Sequence, residues 1–144
     1  MAERYSEAFW EGNLKDGHGE MKTGSGTFQG KYTYASRFEE GAGTNPEELI
    51  GAAHAGCFSM ALSNELDKAG FPPRRIFTKA QVSLGKVEGK SRITRIHLTT
   101  EADVPGISND KFQEIAQQAK VGCPVSAALK GVDITLDAKL SGSS

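Results

Sequence analysis

An excess of charge of either sign is missing from this chain. Its 144 residues carry 17 Lys and Arg against 18 Asp and Glu, a formal net charge of -1. Such balance leaves no electrostatic footprint for a nucleic acid or an anionic lipid surface, so neither is an expected partner. Long apolar runs are lacking too. Mean hydropathy is -0.41, and the one extended apolar stretch, between Glu48 and Glu65, is too short and too rich in Gly and Ala to read as a membrane span. Metal ligands are sparse: two cysteines and three scattered histidines make no zinc pattern. No secretory leader is expected, because Ala2-Glu3-Arg4-Tyr5-Ser6-Glu7 is polar and leads into an amphipathic stretch. A cytoplasmic location follows as an expectation, and there a cysteine pair leans toward metal or redox use rather than a structural disulfide. With the zinc spacing absent, redox is favoured. Neither a repeat nor a linker divides the chain, so one domain over 1–144 is expected, long enough to bury a core.

What is present centres on the stretch from Thr44 to Leu62. Asn45 is a good N-cap, Pro46 suits the first helical position, and Glu48 stands at capping-box spacing from Asn45. Glu47 and Glu48 also complement the positive end of the helix dipole. Beyond them the sequence is apolar nearly all round, which predicts a buried helix. Gly70 followed by Pro72 and Pro73 stops it, giving a central helix over 45–69. Gly51, Ala52, Ala53, Ala55 and Gly56 would suit close approach of another helix, a pointer to a homodimer.

Around this helix the pattern predicts a β-meander over 1–36, with strands near Tyr5–Trp10, Glu20–Thr23, Thr27–Gln29 and Tyr32–Tyr34. His18, between two glycines, reads as an exposed turn residue, and Ser36–Gly43 as a connecting loop. A hairpin over 74–104 follows. Ile76, Thr78, Ala80, Val82 and Leu84 alternate, Gly85–Lys90 turns, and Ile96, Leu98, Thr100, Ala102 and Val104 alternate back, with a bulge or the strand start near Ile93. Ser108 caps a helix carrying Phe112, Ile115, Ala116 and Ala119. Cys123 stands at its break, and Pro124 restarts a short helix, giving a helix pair over 108–130 and a last strand over 132–140. The tail 141–144 reads as frayed. The class is α+β, with antiparallel sheet wrapped around the long helix.

The two thiols sit in different settings. Cys123 occupies the N-cap position of a short helix, where backbone N–H groups can lower a thiol pKa. Cys57 is mid-helix and gains nothing from its own helix. A nucleophilic Cys57 would need outside help, most simply an arginine, and Arg37 is the candidate, with Glu47 or Glu48 to orient it. Ten helical residues separate Glu47 from Cys57, about 15 Å along the axis. Either two antiparallel helices meet across a two-fold axis, or Arg37 bridges from a neighbouring loop. A structural Arg37 and a packing Cys57 stay open on spacing alone. His54, three residues before Cys57, is either an activating base or a satisfied core histidine. Two further classes stay open: an apolar-ligand-binding module without turnover, and a Cys57/His54 thiol hydrolase.

Arg37-Phe38-Glu39, the run from Gly43 to Leu62 and Ala119-Lys120-Val121-Gly122-Cys123-Pro124-Val125-Ser126 strongly resemble the osmotically inducible protein C branch of the OsmC/Ohr family. Trp10-Glu11-Gly12, Val104-Pro105-Gly106-Ile107 and Ile134-Thr135-Leu136-Asp137 are similar to it as well, so the likeness covers essentially the whole chain. An arginine just before the Asn-Pro-Glu helix, rather than near the N-terminus, matches this branch. The resemblance implies an intertwined homodimer that reduces organic hydroperoxides, and hydrogen peroxide less efficiently, at sites on the subunit interface. Cys57 matches the peroxidatic cysteine, Cys123 the resolving one, Arg37 the activating arginine and Glu47 the carboxylate that positions it. No metal, haem, flavin or other cofactor is implied, and the electrons would come from a dithiol or a lipoyl-bearing protein.

Overall fold

The computed structural model describes residues 2–141. Of the expected frayed tail, Ser141 closes a strand, and 142–144 lie outside the described residues. The fold is α+β, in two compact units that meet in sequence between Leu49 and Ile50.

In the first unit, β1 (Ser6–Glu11), β2 (His18–Thr23) and β3 (Gln29–Tyr32) form the expected antiparallel meander. Trp10, Gly19 and Tyr32 stand opposite one another across its three strands. The middle residue has to be glycine: a Cβ there would lie 2.7 Å from the Tyr32 ring and 2.8 Å from Trp10. Those two rings instead pack tilted with centroids 5.2 Å apart. His18 is exposed and pairs with Glu11 at 3.4 Å. The meander ends sooner than expected. A short helix, α1 (Tyr34–Phe38), takes over residues read as the last strand and the connecting loop. Its cause is a capping box: Thr33 Oγ1 accepts from the Ser36 N–H at 3.1 Å, and Ser36 Oγ accepts from the Thr33 N–H at 2.8 Å. With serine in place of Glu or Gln at the third helical position, the usual sequence signature is hidden.

Helix α2 (Pro46–Lys68) starts as its sequence predicts, with Asn45 Oδ1 accepting from the Glu48 N–H at 2.8 Å. Glu48 does not close the box, however; its carboxylate accepts from Thr44 Oγ1 at 2.6 Å. At the far end Phe71 N–H donates to Leu66 O at 2.8 Å and Gly70 N–H to Asp67 O at 3.0 Å, with Gly70 at φ +91°. That is a Schellman stop.

The second unit builds its core from Phe58, Leu62 and Leu66 of α2, Ile96, Leu98 and Ala102, and Phe112, Ile115 and Ala116. Its sheet has the order β4 (Arg75–Val87), β5 (Lys90–Asp103), β6 (Asp133–Ser141). The apolar alternations meet in register, Ile76 opposite Ala102, Ala80 opposite Leu98 and Val82 opposite Ile96. The hairpin turn is tighter than the expected Gly85–Lys90. Only Glu88 and Gly89 lie outside the ladder, both at positive φ (53° and 77°), which matches the twist of the strands. The expected bulge is present: Ser83 faces Arg95 and Leu84 faces Ile93, leaving Thr94 unpaired. Helix α3 (Asn109–Gly122) is capped by Ser108, which accepts from the Lys111 N–H at 3.2 Å, and buries the four residues predicted. Helix α4 (Pro124–Ala128) follows.

Two expectations need correction. The sheets are not all antiparallel: β6 runs parallel to β5, from Arg95 opposite Asp133 to Asp103 opposite Ser141. Alternating apolar residues carry no direction, whereas the α3–α4 connection returns the chain to the start of β5 and so imposes a parallel pairing. Nor is α2 covered all round. Gly51, His54, Phe58, Leu62 and Leu66 form its buried stripe, while Ala52, Ala53, Gly56, Met60 and Asn64 are exposed, Met60 by 76%. A hydroxyl chain fixes the buried side on the sheet: Ser59 Oγ donates to Thr78 Oγ1 at 2.8 Å, Thr78 meets Thr100 Oγ1 at 3.0 Å, and Thr100 donates to Phe77 O at 3.0 Å. Among the described residues no helix is long and apolar enough to cross a membrane.

Gly70 tests the helix stop. A Cβ there would meet nothing within 4 Å, so Gly70→Ala carries a backbone penalty alone. Urea unfolding is expected to show a loss of about 1 kcal/mol; an unchanged midpoint would rule out the left-handed stop.

Candidate active site

The sequence singled out four residues, and the structure brings them together as two pairs. Arg37 lies in the last turn of α1. Its Nε donates to Glu47 Oε1 at 3.0 Å and its Nη2 to Glu47 Oε2 at 2.9 Å, a bidentate fork. Glu47 is nearly buried while Arg37 keeps one edge open, with side-chain exposures of 9% and 36%. The guanidinium also lies 5.3 Å from the Phe38 ring centroid. The local fold holds this pair in place. Buried Ser36 donates to Thr44 O at 2.8 Å, and Asn45 Nδ2 donates to Ser36 O at 3.0 Å. These bonds fasten the arginine-bearing turn to the residues just before α2. Trp10, Leu14, Tyr32, Tyr34 and Phe38 line a cavity of about 180 Å³ beside Arg37.

Cys57 and Cys123 form the other pair. Both are free thiols, and the Cys123 S–H donates to Cys57 Sγ at 2.9 Å. Cys123 is fully buried, whereas Cys57 is half-buried and opens onto a groove of about 680 Å³ lined by Met60, Ala61, Asn64, Gln118 and Pro124. An incoming molecule therefore meets Cys57 first.

The helix-terminus assistance expected for Cys123 falls elsewhere. Its side chain makes no capping bond at the start of α4. Instead, a hydrogen bond from the Val125 backbone N–H pulls the pKa of Cys57 down. Burial outweighs that bond and pushes the Cys57 thiol above its ordinary 9.0. The Cys123 side chain also raises it. Val125 escaped the sequence reading because a backbone donor has no residue signature.

His54 is a core histidine in this fold. It is fully buried, its Nε2 lies 2.7 Å from Ser126 Oγ, and no hydrogen bond joins it to Cys57 among the described residues. Its Nδ1 is buried with no partner among the described residues, at a cost of about 1–3 kcal/mol. Ser126 was also missed, although it follows Cys123 by three residues just as His54 precedes Cys57 by three. No group of three or more His, Cys, Asp or Glu side chains that could hold a metal ion occurs among the described residues.

A protein-family model described as OsmC-like protein matches residues 39–137. The chain is 55% identical over 135 residues to the peroxiredoxin OsmC of Escherichia coli strain K12, covering 93% of this chain and 94% of that one. The chain belongs to the OsmC-like family. This OsmC-like chain is also 32% identical over 99 residues to an organic hydroperoxide resistance protein of Xanthomonas axonopodis pv. citri, covering 67% of each. The crystal structure of the organic hydroperoxide resistance protein OhrB of Bacillus subtilis superposes with a TM-score of 0.75 at 27% identity, over 94% of this chain and 98% of that one.

The buried His54 gives the OsmC-like chain an acid-side pH dependence. Burial lowers its pKa below 6.5, so the folded chain resists a proton that the unfolded chain accepts. The resulting stability is present above 6.5 and is lost as pH falls through the folded-state value. Melting temperature is expected to decline from about pH 7 to pH 5, and His54→Gln to flatten that decline. Equal slopes for both proteins would contradict a neutral, desolvated His54.

Proposed function

We propose that this chain is a thiol-dependent peroxidase that reduces organic hydroperoxides. The observation that carries the reading is the pair of free thiols 2.9 Å apart, one facing a groove and the other sealed behind it. The names of the relatives, a peroxiredoxin and an organic hydroperoxide resistance protein, support the same chemistry.

Cys57 acts as a thiolate on the distal oxygen of ROOH. The O–O bond breaks, the alkoxide leaves and takes up a proton as alcohol, and Cys57 holds the oxygen as a sulfenic acid. Cys123 then attacks the Cys57 sulfur. The S–O bond breaks, hydroxide leaves with the Cys123 proton as water, and a disulfide remains. A dithiol or a lipoyl group on a protein restores both thiols. The largely apolar groove favours alkyl peroxides: buried alkyl surface gains about 25 cal/mol per Å², which hydrogen peroxide lacks.

Within its own chain Cys57 is a poor thiolate at neutral pH, because burial raises its pKa. A cation is needed, and the Arg37–Glu47 fork is built to present one: Glu47 fixes the guanidinium while an edge of it stays open. Ten residues of continuous helix, about 15 Å, separate Glu47 from the Cys57 of its own chain. The fork of a second subunit therefore serves Cys57 in a homodimer, and the exposed Ala52, Ala53, Gly56 and Met60 stripe of α2 offers the face for it. Arg37 would both lower the Cys57 pKa and stabilise the departing alkoxide. A pair of free thiols in contact fits a reducing, cytoplasmic compartment.

Anaerobic titration with cumene hydroperoxide followed by intact mass tests the chemistry. The wild type is expected to lose two hydrogen atoms, Cys123→Ser to gain one oxygen, and Cys57→Ser to remain unchanged. A wild type left reduced under excess peroxide would contradict the assignment.

A further inference from the structure

Beside the Val125 N–H bond to Cys57, two side-chain contacts one helical turn apart join α2 to α4 and its N-cap residue Cys123. Cys57 meets Cys123 at 2.9 Å, and His54, three residues earlier on α2, meets Ser126, three residues later on α4, at 2.7 Å. The second contact is fully inside: His54 is 0% exposed and Ser126 5%. We propose that the His54–Ser126 hydrogen bond is a brace for the resolving step, holding Cys123 against Cys57 while Cys57 carries oxygen. It rests on the peroxidase reading.

Three observations carry it. Helix α4 has only five residues and no side-chain cap at its start, so it has little stability of its own and depends on what ties it down. The oxygen added to Cys57 needs room beside a sulfur already in contact with Cys123, and the five-residue α4 is the shorter of the two elements, against 23 residues in α2. A hydrogen bond one turn further along resists movement of α4 without touching the sulfurs. Finally, the core tolerates an unpartnered His54 Nδ1, a cost that a packing apolar residue would avoid. The bond made by the other nitrogen is what the histidine contributes.

His54 and Ser126 are thus positioning residues. They are not expected to alter the first step, in which peroxide oxygen passes to Cys57. They act on the second, in which the Cys57 S–O bond breaks, the Cys57–Cys123 S–S bond forms, and water leaves with the Cys123 proton.

Single-turnover oxidation with cumene hydroperoxide separates the two steps. Dimedone capture followed by intact mass measures the sulfenic acid, and the disulfide is measured in parallel. In Ser126→Ala, formation of sulfenic acid should match wild type within twofold, while disulfide formation slows by roughly tenfold, the scale set by one buried hydrogen bond. Dimedone capture and over-oxidation to sulfinic acid should rise accordingly. Ser126→Thr, which keeps the hydroxyl, should restore the rate, and His54→Gln gives an independent version from the other side. An unchanged rate of disulfide formation in Ser126→Ala would overturn the brace. So would both steps slowing by the same factor, since that reports general loosening. A wild type that forms neither sulfenic acid nor disulfide would overturn the peroxidase reading, and the brace with it.

Discussion

The length of α2 is the constraint on which the rest depends. A continuous helix cannot fold back, so a carboxylate at its first turn and a thiol ten residues on are held about 15 Å apart. Each end has its own partner. At the N-terminus Glu47 grips Arg37 through two hydrogen bonds; at mid-helix Cys57 receives the Cys123 thiol. Neither pair is complete as chemistry. The fork keeps an open edge, while Cys57 faces a groove and has a raised pKa. The exposed apolar stripe along the same helix is what supports the proposed assembly of one site from two copies.

Burial acts alike on His54 and Cys57, favouring the uncharged form of each. For His54 it favours the neutral ring, keeping the core uncharged and leaving the imidazole free to act as a hydrogen-bonding strut toward Ser126. For Cys57 it favours the thiol, the unreactive form. The half-open groove leaves that thiol accessible from outside. The fully buried Cys123 is kept from direct oxidation but is already in contact with its target.

Much of this was legible in the sequence because it rests on short-range signals. Asn45-Pro46 starts α2 and Gly70 ends it; Ser108 caps α3; and the period-two runs of β4 and β5 placed Ile96, Leu98 and Ala102 in the core. The residues of both pairs could be named as well, but only through the family resemblance, since spacing alone left Glu47 and Glu48 both open. What escaped depends on the third dimension. The parallel direction of β6 is set by the return path through α3 and α4. Helix α1 follows from a Thr33–Ser36 box without the acidic residue that marks such boxes. The Val125 N–H and the His54–Ser126 bond exist only once α4 is laid against α2, 72 residues away in sequence in the second case. The exposed side of α2 shows the same limit, because an apolar pattern says that a face wants cover and not what covers it.

Mixed dimers test the split site most directly. Pairing a Glu47→Ala subunit with a Cys57→Ser subunit leaves one intact Cys57 facing one intact Arg37–Glu47 fork only if the fork acts across the interface. The account predicts about half of wild-type peroxidase activity for that heterodimer, from two parents that each have little or none. A heterodimer as inactive as its parents would contradict it, and would place the fork and the thiol in the same chain.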